Sequence, residues 1–170
     1  MLLNRRSLGA FALLALSGCG FTPLYGGSRG HVVTAALETV QVQNIAGRAG
    51  QMLRLKLQQG FYRNGPPVEA LYALAVNYAV SSLSEGIQED SSSSRERFTA
   101  TAQWVLSPIG HPAQILAQGN ATAMDALNII DQQYFDTALE TTTVNQQLTD
   151  EISSQITTQL AAWFHTHPGS

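Results

Sequence analysis

Hydrophobic and polar positions change period several times along the chain. Residues 38–45 alternate, with Val40 and Val42 on one face and Thr39 and Gln41 on the other, which predicts a short strand. From Ile45 to Arg63 the period lengthens. Ala49, Leu53, Leu57 and Phe61 recur every fourth residue, a helical stripe with Gly60 inside its last turn. Asn64-Gly65-Pro66-Pro67 stops that helix, first by residues that accept left-handed backbone and then by two missing N–H donors.

Alternation returns in three runs. Between Leu71 and Ser81, Tyr72, Leu74, Val76, Tyr78 and Val80 take one face, and Ala73, Ala75, Asn77 and Ala79 the other. Between Phe98 and Leu106, Phe98, Ala100, Ala102, Trp104 and Leu106 oppose Thr99, Thr101, Gln103 and Val105. Ser107-Pro108-Ile109-Gly110-His111-Pro112 is a turn, and Ile115 to Met124 is the third run. The three runs read as an antiparallel meander with one buried face. The Ser-rich polar stretch 84–97 between the first two is expected to be a long loop, with Arg95 and Arg97 at its end sharing one strand face.

The last element carries the longest stripe: Val144, Leu148, Ile152, Ile156, Leu160 and Phe164. Thr143-Val144-Asn145-Gln146 fits a capping box at its start, and a start near Asp136 is open as well. Both helices have one apolar stripe and the sheet has one apolar face. Burial therefore predicts an α+β fold in the order β-α-β-β-β-α, a four-stranded mixed sheet with two helices packed on one face.

Composition narrows the function. Only 12% of the 170 residues are charged and 44% are apolar, which excludes a disordered chain. A formal charge of −3 argues against a nucleic-acid partner. The chain has 1 cysteine, which excludes a disulfide framework and a multi-cysteine zinc site. That cysteine sits in a telling place. Arg5 and Arg6 precede an apolar run from Leu8 to Leu16, too short to span a bilayer, and Leu16-Ser17-Gly18-Cys19 follows. The order matches a bacterial lipoprotein signal with its lipobox. On this reading residues 1–18 are a cleaved signal peptide, 19–31 a lipidated tether with a flexible Gly26–Gly30 linker, and 32–170 a single α+β domain. Cys19 would carry S-diacylglycerol and an N-acyl chain. Multiple acyl chains anchor a protein stably without crossing the membrane. The arginine pair leaves Sec and twin-arginine export both open. Loss of the leader removes two of the 9 basic residues and none of the 12 acidic ones, taking the charge from −3 to −5. Gly20 follows the cysteine where Asp would favour retention at the inner membrane, so the outer membrane is expected.

The run Cys19-Gly20-Phe21-Thr22-Pro23-Leu24-Tyr25-Gly26 resembles the mature start of the LptE family of lipopolysaccharide-assembly lipoproteins, in its alphaproteobacterial form. The resemblance implies an outer-membrane lipoprotein that plugs and helps assemble an LptD-like β-barrel and takes part in delivering lipopolysaccharide to the cell surface. An outer-membrane lipoprotein adaptor or envelope scaffold is the alternative. Phe21, Leu24 and Tyr25 would contact the partner or rest among lipid headgroups. Arg95 and Arg97 are the candidate lipopolysaccharide contacts, because its phosphates need cations; Arg48, Lys56 and Arg63 form a second cationic group on the 45–63 helix. No catalytic motif occurs, and His31, His111, His165 and His167 are placed at edges, turns and tails rather than at ligand spacing. Neither an enzyme nor a metal or cofactor site is expected.

Overall fold

The computed structural model describes residues 27–62, 67, 69–87, 93–128 and 134–167. Its elements are α1 (Gly27–Glu38), β1 (Val40–Val42), α2 (Gly47–Phe61), β2 (Tyr72–Ile87), β3 (Ser93–Pro108), β4 (Ala117–Asn128) and α3 (Tyr134–Thr166). The strands form one sheet in the order β1-β2-β3-β4. β1 runs parallel to β2 and the other pairs are antiparallel, so the sheet is mixed, as the sequence pattern predicts.

The alternating runs bury the faces they announce. Leu74, Ala100, Ala102, Trp104, Leu106, Ala121 and Ala123 point into the core. The α3 stripe from Val144 to Phe164 is buried at all six positions, and Leu53, Leu57 and Phe61 of α2 join it. The helices cover one side of the sheet: α3 lies against β4, β3 and α2, while α2 lies against β2 and β1. Tyr72 meets Phe164 edge-on at 5.3 Å between ring centroids, tying the start of β2 to the end of α3.

Three expectations change. A third helix, α1, begins inside the stretch that reads as a Gly/Ser linker. It buries Val33 and Leu37, one turn apart, and packs on α3 and α2. Tertiary burial there outweighs the low helix propensity of glycine. The supposed long loop 84–97 is largely ladder: Glu85 opposes Arg95 and Ile87 opposes Ser93. Ser82, Leu83 and Ser84 lie exposed beyond the buried part of the strand, so no alternation of buried and exposed positions announces the ladder there. The proposed cap at Thr143 lies inside α3, which starts at Tyr134; Asn145 instead donates from its amide to the Thr141 carbonyl at 2.9 Å.

The two long sheet edges are finished differently. Along β4, α3 presents glutamines to the backbone. Thr122 N–H donates to Gln155 Oε1 at 3.2 Å, and Gln155 Nε2 donates to the Thr122 carbonyl at 3.1 Å. One carboxamide thus stands in for a neighbouring strand's peptide. Gln159 Nε2 donates to the Asn120 carbonyl at 2.9 Å, one turn on. β1, by contrast, pairs with only Tyr72–Leu74 of β2.

Candidate interaction surfaces

The sheet face away from the helices is broad and nearly uncharged. Ala75, Asn77 and Ala79 of β2, Thr101 and Gln103 of β3, and Gln118, Asn120 and Thr122 of β4 are exposed on it. Ala73 and its cross-strand neighbour Ser107 lie on the same face but are buried. Towards the β2–β3 turn the face gains two large apolar side chains, Leu83 at 64% and Met124 at 69% exposure. This composition, small, neutral and hydrogen-bonding, suits a large wet protein interface more than a charged ligand.

The structure puts Arg95 and Arg97 on β3 rather than on a loop. Arg95 sits between Glu85 and Asn128 in the ladder, and Arg97 between Leu83 and Ala126. Their side chains leave the same face, as the i,i+2 spacing requires. Both line a shallow depression with Met124, Asp125 and Ala126. Arg97 Nη2 stands 3.0 Å from Glu85 Oε1, so its charge is already partly answered within the sheet. A phosphate at this corner would compete with that carboxylate. The corner can therefore host a polar contact, but it is not an unopposed cation site.

Of the second cationic group the structure describes Arg48 and Lys56. Lys56 pairs with Asp150 of α3 at 2.7 Å, and Arg63 lies outside the described residues. Arg48 lines a groove between α2 and α3 with Ala49, Met52, Thr142 and Asn145. Cys19, Phe21, Leu24 and Tyr25, the residues of the proposed anchor, also lie outside the described residues.

His31 and His111 are exposed. The ring of His167 stacks on Trp163 with centroids 4.8 Å apart, closing the end of α3. Among the described residues no three His, Cys, Asp or Glu side chains gather as a metal site would require, and no helix is long and apolar enough to cross a membrane. Two phenols have raised pKa values. Burial lifts Tyr62, whose hydroxyl donates to the Val40 carbonyl at 2.6 Å. Burial lifts Tyr78 as well, opposed by its hydroxyl contact with Thr149 at 3.5 Å. Each sits at the margin of the core, Tyr62 beside β1 and Tyr78 against α3.

Sequence reasoning missed the glutamines that finish the β4 edge. Gln155 and Gln159 are spaced i,i+4 beside the apolar stripe, the position for a row that grazes the sheet, but a polar helical residue at that spacing is equally a solvent residue.

No family model matches the chain, and a search of curated proteins returns no match. Solved structures do match. A crystal structure of a protein from Caulobacter crescentus CB15 assigned as a lipoprotein aligns over 80% of this chain and 97% of its own, with 19% identity and a TM-score of 0.60. The solution structure of an uncharacterized lipoprotein B from Nitrosomonas europaea aligns over 76% and 83%, with 14% identity and a TM-score of 0.57. The rare lipoprotein B of Shewanella oneidensis aligns over 73% and 92%, with 8% identity and a TM-score of 0.54. At these identities the likeness is one of fold: this mixed sheet with helices on one side is an architecture the chain shares with proteins named lipoproteins in three bacteria.

Proposed function

We propose that this chain is a non-enzymatic outer-membrane lipoprotein, acylated at Cys19, that seats in and helps assemble an LptD-like β-barrel and so takes part in lipopolysaccharide export. The observation that carries the reading is the run Leu16–Gly26, a lipobox joined to the CGFTPLYG start, placed ahead of a domain with the fold of proteins named lipoproteins. The bare sheet face supports it. A barrel lumen is polar, and a plug surface of Ala, Asn, Gln, Ser and Thr meets such a wall through neutral hydrogen bonds without stranding charges.

The Arg97–Glu85 pair bears on how lipopolysaccharide is met. A cation already engaged by a carboxylate is a weak phosphate trap, so the plug acts chiefly by shaping the barrel, with Arg95 and Arg97 as a secondary contact. Affinity purification from mild detergent through a C-terminal tag tests the assignment. A stoichiometric outer-membrane barrel in the eluate, together with palmitate labelling that Cys19→Ser abolishes, is the expected result. Labelled protein that purifies without a barrel, from cells whose surface lipopolysaccharide is unchanged on depletion, would point to the adaptor or scaffold role instead.

A further inference from the structure

Among the described residues the β2 edge beyond β1 is open, and its chemistry says what it takes. The Gln43 N–H donates to the Leu74 carbonyl at 2.9 Å, which fixes the phase of the strand. Even-numbered residues of β2 direct their backbone groups towards the β1 side, and odd-numbered residues direct theirs towards β3. The β3 ladder continues without a break from Val76 to Glu85, while β1 has already ended at Leu74. Among the described residues no strand pairs with Val76, Tyr78, Val80, Ser82 or Ser84 on the outer side.

Proteins usually protect such an edge with lysine, inward charge, proline or a bulge. None is present here: no Asp, Glu, Lys, Arg or Pro occurs between Tyr72 and Ser84, and the β2–β3 register is regular. The contrast with β4 is direct, because that edge is met by Gln155 and Gln159. Helix glutamines meet the β4 edge at Asn120 and Thr122, whereas among the described residues no strand meets β2 beyond Leu74.

We infer that the β2 edge from Val76 to Ser84 accepts an extended, uncharged segment of the barrel partner by strand addition, end to end with β1. The inference rests on the proposed function for the identity of the partner chain. The flanking side chains select its character. On the helix side the added strand lies beside Val76, Tyr78 and Val80, which are half-buried and call for apolar residues. On the open face it lies beside Asn77, Ala79 and Ser81, which call for small polar ones. A charged residue at any of these positions would be desolvated with no opposite charge within the strand to answer it. An alternating neutral segment is what main-chain pairing with pockets on alternate side chains recognises.

Photo-crosslinking tests this on the full-length, membrane-derived protein. p-Benzoyl-phenylalanine in place of Ser84 is irradiated in cells and the chain is recovered through a C-terminal tag; the same probe in place of Thr158, on the exposed side of α3, is the control. The expected product is an adduct with the barrel at position 84 only. Ser82→Pro then removes an N–H that faces away from β3, leaving the β2–β3 ladder intact, and should cut the adduct about tenfold. Ser82→Lys, which keeps the N–H and places a charge at the edge, should do the same if the proline variant melts early. An adduct between two copies of this chain overturns the inference. So does an adduct that both Ser82 variants leave unchanged, or the absence of an adduct while the barrel still co-purifies, and in these two cases the proposed function stands. Loss of the barrel from every preparation overturns the proposed function itself.

Discussion

Gln159 is the place to test whether helix glutamines hold the sheet together. Its Oε1 accepts from the Trp104 indole N–H at 2.8 Å, and its Nε2 donates to the Asn120 carbonyl at 2.9 Å. Trp104 is 3% exposed, so its N–H has little access to water. The indole lies on the bare backbone of Gly119, its cross-strand neighbour; a Cβ there would stand 2.7 Å from both Trp104 Cζ2 and Gln159 Oε1. Replacing Gln159 with Leu keeps the volume and removes the acceptor. The orphaned indole donor costs about 1–3 kcal/mol, whereas water replaces the bond to exposed Asn120 at little net cost. A central value of about 2 kcal/mol corresponds to roughly 5 °C in melting midpoint for a domain of this size. The assay is urea unfolding followed by far-UV circular dichroism on Gln159→Leu, Trp104→Phe and the double variant. With the indole gone, the Gln159 change should cost less than about 0.5 kcal/mol, a coupling of about 1.5 kcal/mol. Equal costs in the two backgrounds would refute the claim that this hydrogen bond orders the pair.

Other perturbations follow from the same geometry. Gly50→Ala places a Cβ 2.7 Å from Ile45 Cγ2 and 3.0 Å from the Ile45 carbonyl carbon and oxygen, and the backbone cannot step aside. It should destabilise by about 1–3 kcal/mol in denaturant titration. Tyr62 and Tyr78 have folded-state pKa values above the free phenol, so the folded state retains their protons longer than the unfolded chain does. Their contribution is complete below the unfolded pKa of about 10 and is lost as pH rises through the folded value, so stability should fall on the alkaline side. Melting curves of Tyr62→Phe and Tyr78→Phe should show a shallower fall over that range. Lys56 and Asp150 are both substantially exposed, at 42% and 53% of their side chains, and Lys56→Ala should change stability by less than about 1 kcal/mol at moderate salt.

What could be read ahead of the structure follows from which residues change environment. The alternating runs on β2 and β3 and the i+4 stripe of α3 were legible because one side of each is buried and the other wet, so the pattern records the fold directly. Where that contrast vanishes, so does the signal. Ser82 to Glu85 and Arg95 to Arg97 extend past Val80 and Phe98 with neither face buried, and a strand without a buried side looks like a loop. α1 was hidden for the opposite reason: Gly27, Ser28 and Gly30 disguise a helix that tertiary contacts at Val33 and Leu37 stabilise. The arginine corner was half legible. The shared face of Arg95 and Arg97 follows from their spacing, but the diagonal pairing of Glu85 with Arg97 depends on the β2–β3 register, which no local pattern specifies.

The two surface features left unexplained by stability are linked. A neutral sheet face and an unguarded edge are each liabilities for a freely diffusing protein, since the first is weakly hydrated and the second templates pairing with other chains. Both run along β2: β1 pairs with it only as far as Leu74, and from Ala75 onward the strand shows exposed side chains on the open face, up to the corner of Arg97 and Glu85. At β4 the chain meets part of an edge with its own side chains, Gln155 at Thr122 and Gln159 at Asn120. Among the described residues β2 has no such partner beyond Leu74. On the proposed function the two exposures are one interface: the sheet meets the polar wall while the edge takes a strand. A plug held in this way is fixed in both position and rotation by main-chain pairing, which side-chain contacts across a smooth neutral face would leave free.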